Sequence, residues 1–285
     1  MKGALPVLLP FAYAQGPAER LRLRPHSSNA PAGLGLAIGL SAAIILGSAA
    51  AQAATGTPKP GVLATLWRWT PFLLDGFFWN IVISALAMAV GTVLGFFLGV
   101  AQISHVRLVR APSWLLTQLL RNAPWLVILF YCMFLLPFQM KVFGWRIPLP
   151  DWLKASFGFA LPVMAYVAEI VRGAVQSIPA GQWESAEALA FSRRQTIWMI
   201  IIPQCLKRML PAWMNLYAIV AMASVLANVV GVSEGLTAAR ELLAAEQRAE
   251  LLLPVYAYVL LWFFCYCYPI SRATFALERR WAVRE

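Results

Sequence analysis

The sequence predicts an all-α fold, a polytopic bundle of membrane-spanning helices. Of the 285 residues, 61% are hydrophobic and only 12% are charged, and the mean hydropathy is +0.69. These values are typical of polytopic membrane proteins. Because a membrane helix needs about 20 mostly apolar residues, the apolar runs predict six spans, at residues 33–54, 78–103, 114–137, 155–177, 208–232 and 252–272.

The first of these spans has two interpretations. Residues 1–32 form a basic arm, and the small apolar residues that follow lead into Ala51-Gln52-Ala53, which resembles a signal-peptide cleavage site. The arm is long for a signal peptide, so we expect 33–54 to be a retained anchor, with cleavage as the alternative. Three prolines at 58, 60 and 71 predict that residues 55–71 are a boundary before the core.

The second span carries a glycine repeat. Gly91, Gly95 and Gly99 recur every four residues, which leaves one face of the helix flat. This small-xxx-small pattern predicts close packing against another helix.

Lysine and arginine counts predict the orientation of the chain. With the N-terminus in the cytoplasm, fourteen of these residues lie inside and seven outside, and the other two fall in or near spans. Cytoplasmic loops carry the excess of positive charge. The net charge of +11 therefore fits a membrane protein. It does not indicate nucleic-acid binding, because no basic stripe is interleaved with exposed aromatic residues.

A polar segment at 179–207 interrupts the apolar pattern between the fourth and fifth spans. It opens on Pro179-Ala180-Gly181 and continues through a predicted short helix at 182–191. We expect this helix to be a cytoplasmic docking element. The residues assigned to it are Trp183, Glu184, Ala186, Glu187, Leu189, Ala190, Arg193 and Arg194.

The chemistry of this helix favours a protein groove over a membrane surface. Trp183, Ala186, Leu189 and Ala190 fall on or near one face, beside the acidic residues. The alternative is an amphipathic helix resting on the bilayer, but such helices usually carry Lys or Arg on their polar face.

Charged and polar residues within the spans are further candidates. Glu169 and Arg172 are i,i+3 neighbours that can pair, and Arg121 lies within the third predicted span. Either a structural ion pair or a role at a gate fits them. Polar groups in spans need partners or water, so we expect pathway or interhelical contacts from Asn80, Asn122, Tyr166, Ser224 and Asn228.

The sequence contains no residue pattern that indicates a catalytic or a metal-binding site. The four cysteines, at 132, 205, 265 and 267, have no CxxC or CxxH partner. No apolar run contains the His or Asp that intramembrane catalysis needs. The chain also lacks a GxxxxGK[ST] phosphate loop. We therefore expect no enzyme activity, no metal and no bound cofactor.

The polar segment resembles the signature loop of ABC-transporter permease subunits. The family pattern is Glu-Ala-Ala, three residues, Gly, nine residues, Ile, one residue, Leu-Pro. Here it reads Glu184-Ser185-Ala186, then Ala190, then Ile200-Ile201-Ile202-Pro203 with the spacing intact. Segments that resemble the polar amino-acid (histidine/glutamine-type) importer branch are Leu120-Arg121-Asn122-Ala123-Pro124, Ala168–Gly173, Gln176–Glu184, Val230-Gly231-Val232 and Leu277–Arg280.

The resemblance implies a type I ABC importer transmembrane fold with five core spans. It implies a permease domain at 77–275, with the coupling loop at 179–207 and a cytoplasmic tail at 276–285. The chain would sit in the bacterial inner membrane and import a polar amino acid or an opine-like derivative. The implied partners are ATPase subunits that hydrolyse the ATP, a second permease and a solute-binding protein. The alternatives are a motor-independent channel or scaffold, or an intramembrane enzyme.

Two departures from the branch pattern predict local differences. Ala190 replaces a glycine, and would carry a steric cost if that position requires a left-handed backbone. Met222-Ala223 stands where the branch often has Lys-Asp. The loss of both charges favours a non-identical sister subunit, or a substrate of different polarity.

Overall fold

The computed structural model describes residues 30–54, 60–142 and 145–281. The predicted N-terminal arm at 1–32 lies almost wholly outside these residues, as do the last four residues of the tail. The membrane-length elements of the described chain are α-helical, as predicted. Four are long and apolar enough to cross a membrane, or five if the bent pair α3 and α4 counts as one span.

The helices follow one another along the chain with short connections. They are α1 (Ala30–Ala54), α2 (Val62–Gln102), α3 (Arg107–Asn122), α4 (Trp125–Leu135), α5 (Asp151–Gln176), α6 (Ala180–Ala188), α7 (Arg193–Gln195), α8 (Ile202–Ala223), α9 (Gly235–Glu246) and α10 (Leu252–Trp281). A π-helix at Thr196–Ile201 joins α7 to α8, and 3-10 turns occupy Ser224–Val230 and Ala249–Leu251.

The centre of the bundle is the contact between α2 and α5, which the glycine repeat predicts. A Cβ atom added at Gly95 would lie 2.5 Å from the Met164 carbonyl oxygen and 2.7 Å from the Val167 Cβ. One added at Gly99 would lie 2.7 Å from the Val171 Cβ. Only glycine permits this approach, so the two helix backbones are in direct contact.

Around this contact the bundle has two apolar cores that share α2. The C-terminal half of α2 packs with α4, α5 and α8 through residues such as Met88, Leu129, Phe159 and Val220. Its N-terminal half packs with α1, α9 and α10 through Leu66, Leu73, Ala239, Leu242 and Val255.

Helix α2 is longer than predicted, because residues 62–71 are helical rather than a boundary. Its 41 residues include Pro71 and extend about 60 Å at 1.5 Å per residue, against a hydrocarbon core of about 30 Å. Val62, Leu66 and Leu73 are buried against α9 and α10. This tertiary burial outweighs the proline signal.

The prediction of a continuous helix over 114–137 is wrong. The chain bends by 103° between α3 and α4. Ala123 is extended, with φ −76° and ψ 140°, and Pro124 follows it. Because the proline ring disfavours α conformation in the preceding residue, the helix stops and restarts at this point.

Two segments between the predicted spans contain regular structure. In the predicted coupling segment at 179–207, the part from Arg193 is helical, and α7, the π-helix and α8 are continuous there. Lys207 and Arg208 are exposed on this helix, and Arg208 donates to the Ser177 carbonyl at 2.8 Å. Residues 233–251, between the fifth and sixth predicted spans, contain α9, and a hairpin, β1 (Gln139–Val142) with β2 (Trp145–Pro148), follows α4.

The α2–α5 contact generates a stability prediction. Gly95→Ala introduces a methyl group against the α5 backbone, and we expect it to lower the free energy of unfolding by about 1–3 kcal/mol. The matched control is Gly173→Ala, because nothing lies within 4 Å of a Cβ at that helical position. Thermal unfolding in detergent measures both, and equal transition midpoints for the two variants would contradict the close contact.

Candidate functional site

The candidate coupling element begins at α6, directly after Pro179. Helix α6 ends at Ala188, three residues before the predicted end, in a Schellman motif. The Ala190 amide donates to the Glu187 carbonyl at 2.9 Å, and the Phe191 amide donates to the Ala186 carbonyl at 3.1 Å. These two bonds satisfy carbonyls that the helix end would otherwise leave open.

The motif places Ala190 in the left-handed region, with φ 58°. This is the conformation that glycine adopts at no steric cost, whereas for a residue with a Cβ atom it costs about 1–2 kcal/mol. The sequence-based expectation of a steric cost at this position therefore has a structural basis.

The inner face of α6 is fixed against the bundle. Ala186 is 1% exposed, and Trp183 packs on a small core that includes Ile178, Ile201 and Cys205. The Arg193 guanidinium lies over the Trp183 ring, 4.6 Å from its centroid. Ala186 and Trp183 therefore hold α6 in place and do not form part of its outward surface.

The outer face of α6 remains available to a partner. Glu184, Glu187 and Leu189 are exposed, and Leu189 keeps 71% of its surface. Arg194 is exposed beyond the turn. This outward surface is defined here as Glu184, Glu187, Leu189 and Arg194, and it combines two carboxylates with one large apolar side chain.

A capping box starts the next helix and connects α6 to the long α8. The Ser192 hydroxyl accepts from the Gln195 amide, and the Gln195 side chain accepts from the Ser192 amide. The π-helix at Thr196–Ile201 follows, and Gln204 donates to Gln182 on α6 at 3.1 Å. π-Helical turns are rare and frequently occur at functional sites.

The three charges near the spans form one cluster. Glu169 Oε2 lies 2.6 Å from Arg172 Nη2 and 3.3 Å from Arg121 Nη1. Arg172 also donates to Gln176 at 3.0 Å. The i,i+3 spacing predicted the pair with Arg172, whereas the contact with Arg121 depends on the approach of α3 to α5.

Four of the five polar pathway candidates make hydrogen bonds, in three environments. Asn80 and Ser224 are buried together, with the Asn80 amide donating to the Ser224 hydroxyl at 2.9 Å. Asn228 donates to Thr237 at 2.6 Å. Asn122 donates to the Gln118 carbonyl at 2.7 Å beside the α3–α4 bend. These contacts connect helices or close turns.

Tyr166 is the candidate that faces a cavity. A cavity of about 300 Å³ lies between α4, α5 and α8, and Trp125, Tyr166, Ile170, Asn215 and Ile219 are among its lining residues. Trp125 and Asn215 are not among the pathway candidates that the sequence predicts. An asparagine inside an apolar run was the available signal for Asn215.

Glu234 is a third residue that was not among the predicted site residues. It is fully buried at the start of α9. Its carboxylate accepts from Asn80 at 3.0 Å, from the Leu236 amide at 2.9 Å and from the Thr237 amide at 3.0 Å. Burial raises the pKa of this carboxyl, and these hydrogen bonds oppose the rise. The cluster ties α2 to α9.

No metal-binding site is found within the part of the chain that the structure describes. No group of three or more His, Cys, Asp or Glu side chains there could hold a metal ion. The four cysteines are free.

Comparisons with known proteins agree with this geometry. Residues 91–282 match the family model described as a binding-protein-dependent transport system inner membrane component. The chain is 37% identical over 164 residues to the probable amino-acid ABC transporter permease protein YckA of Bacillus subtilis, covering 58% of this chain and 70% of that one. It is 30% identical to the glutamine transport system permease protein GlnP of Escherichia coli, covering 76% and 96%.

A solved structure supports the fold. It is a crystal structure of an amino acid ABC transporter with histidines, and it matches with a TM-score of 0.67 at 23% identity. The match covers 78% of this chain and 99% of that chain.

The left-handed residue after α6 generates a prediction. We expect Ala190→Gly to raise the free energy of unfolding by about 1 kcal/mol, because it removes the steric cost at positive φ. The control, Ala188→Gly, lies inside the helix and should lower it by about 0.5–1 kcal/mol. Chemical denaturation in detergent compares them, and an Ala190→Gly variant no more stable than wild type would contradict the strain.

The buried carboxyl generates a second prediction. Glu234→Ala removes one of the two acceptors of the Asn80 amide and the side-chain acceptor of two backbone amides, so we expect a loss of about 2–4 kcal/mol. Glu241→Ala, on the exposed side of α9, is the control and should change little.

The pH dependence of that difference follows from the raised pKa. Between the ordinary Glu pKa, about 4.3, and the raised folded value, the folded state binds more protons than the unfolded state. Wild-type stability therefore falls relative to Glu234→Ala as pH rises through this window. Melting curves from pH 4 upward test the sign, and a difference that grows with pH would contradict it.

Proposed function

The chain belongs to the family of binding-protein-dependent transport system inner membrane components, as an amino-acid ABC transporter permease, and we propose that it carries a polar amino acid or an opine-like derivative into the cell. The observation that supports this most directly is the outward surface of α6 in a multi-pass membrane bundle. The chain has no phosphate loop of its own, so the energy must come from a separate ATPase.

The outward surface of α6 is the proposed contact with that ATPase. Two exposed carboxylates and Leu189 can enter a groove lined by donors, with Arg194 at its exit. Because Trp183 packs on the core of Ile178, Ile201 and Cys205 at the ends of α5 and α8, force on α6 passes to these helices. ATP-driven closure of two ATPases would then switch the spans between inward-open and outward-open arrangements.

The proposed assembly contains a second permease and an external solute-binding protein. The sister permease would hold the polar contacts that this chain lacks at Met222-Ala223, so we propose that it is a different chain. Tyr166 and the cavity beside it are the proposed part of the substrate pathway. The buried pair Asn80 and Ser224 fits a structural role better, because both side chains have protein partners.

The proposed orientation places the N-terminus, α6 and the C-terminal end of α10 in the cytoplasm. The excess of Lys and Arg on that side supports it. We propose that α1 is retained in the mature protein, because Ile45 is 8% exposed and packs with α2, α9 and α10.

The docking role generates a transport prediction. We expect Glu184→Lys to abolish ATP-driven uptake while the protein remains in the membrane, because the charge reversal opposes docking on the outward surface. Glu241→Lys is the control, because Glu241 lies on α9, which follows the opposite end of α8 from α6. Uptake into vesicles and quantitative membrane blots measure both variants, and normal uptake by Glu184→Lys would eliminate the docking role.

Co-purification separates this function from a channel or scaffold. A tagged chain should bring down an ATPase and a second permease, and Glu184→Lys should lose the ATPase alone. Recovery of the tagged chain without an ATPase would favour the motor-independent alternatives.

A further inference from the structure

Asn215 is an unusual residue in the middle of α8. Its side chain is exposed, and its amide has no hydrogen-bond partner among the described residues. Its helical neighbours one turn away include Ala212 and Ile219. An amide in an apolar span must find water, another subunit or a ligand, because lipid offers no hydrogen bonds.

Three cavities have Asn215 among their lining residues. The first is the cavity of about 300 Å³ that Trp125 and Tyr166 line. The second, of about 600 Å³, extends toward the α6 side of the bundle and includes Lys207 and Arg208. The third, of about 550 Å³, lies between α8 and α10. Asn215 lines all three.

The charges along these cavities are unevenly distributed. No ionised side chain lines the cavity of Trp125 and Tyr166, where the Tyr166 phenol, the Asn215 amide and the Trp125 indole N–H are the polar side-chain groups. The nearest acid on α5 is Glu169, and both of its arginine neighbours bind it. The cavity toward α6 carries two cations, Lys207 and Arg208, against one acid, Glu278.

We propose that Asn215 is a specificity-determining residue of the permeation path, and that the path selects amino acids with uncharged side chains over cationic ones. The proposal rests on the proposed function and adds the substrate class. A cationic side chain would lose its hydration in a cavity that offers no carboxylate to pair with it. It would then approach the cations Lys207 and Arg208. An uncharged polar side chain needs only the hydrogen bonds that Asn215 and the Tyr166 hydroxyl can make.

The test uses the complete transporter in proteoliposomes with ATP and one unchanged binding protein. Uptake of radiolabelled glutamine and lysine is measured under the same conditions. We expect wild type to favour glutamine, and Asn215→Asp to raise the lysine-to-glutamine rate ratio by about fivefold or more, because it adds a carboxylate. Since the binding protein is the same in every sample, a change in the lysine-to-glutamine rate ratio is caused by the substitution in the permease.

A second variant and a control keep the result interpretable. Asn215→Leu should lower glutamine uptake by about three- to tenfold through the lost hydrogen bond, with the subunits still co-eluting on size exclusion. Met214→Leu, the neighbouring residue, should leave uptake and the ratio unchanged.

Three results would overturn the inference. The first is an unaltered ratio in Asn215→Asp. The second is equal uptake of both amino acids by wild type. The third is dissociation of the two permeases in Asn215→Leu, which would assign the amide to the subunit interface. Absence of ATP-dependent uptake of every amino acid by wild type would instead overturn the proposed function itself.

Discussion

The direct contact between the backbones of α2 and α5 is the constraint on which the rest of the bundle depends. Gly91, Gly95 and Gly99 let the two helices approach until a single added methyl group would overlap α5. Lipid supplies no hydrophobic force between helices, so such close packing is a main source of their association. Because α5 also carries Tyr166 and Glu169 and leads into α6, this contact positions both the cavity and the coupling element.

A second property of the bundle is that α6, the candidate coupling element, is fixed to it by small, specific contacts. Trp183, covered by the Arg193 guanidinium, joins α6 to the ends of α5 and α8, and Ala186 is buried beside it on the same helix. The strained turn at Ala190 and the π-helix at Thr196–Ile201 follow immediately. A partner that pushes on the exposed carboxylates therefore acts on the start of α8, the same helix that carries Asn215.

Much of this architecture could be predicted from the sequence, because apolar run length and glycine spacing report directly on membrane spans and their close packing. The steric cost at Ala190 was also predictable, since one residue and one backbone angle decide it. The bend at Pro124 was missed because apolar residues resume directly after Arg121-Asn122-Ala123-Pro124, and run length alone joined the two apolar segments into one span. Helix α9 and Glu234 were missed because burial of a carboxylate depends on Asn80, 154 residues away. The orientation of α6 likewise depends on tertiary contacts that a helical face alone does not reveal.

The central claim is that α6 presents Glu184, Glu187 and Leu189 to an ATPase while Trp183 and Ala186 face the bundle. The most direct measurement is photo-crosslinking in the assembled transporter, with benzoylphenylalanine placed at Glu187 or, as the inward-facing comparison, at Ile178. We expect benzoylphenylalanine at position 187 to form a covalent product with the ATPase, and benzoylphenylalanine at position 178 to form none. Absence of the product at position 187 in an assembled, ATP-hydrolysing complex would contradict the account.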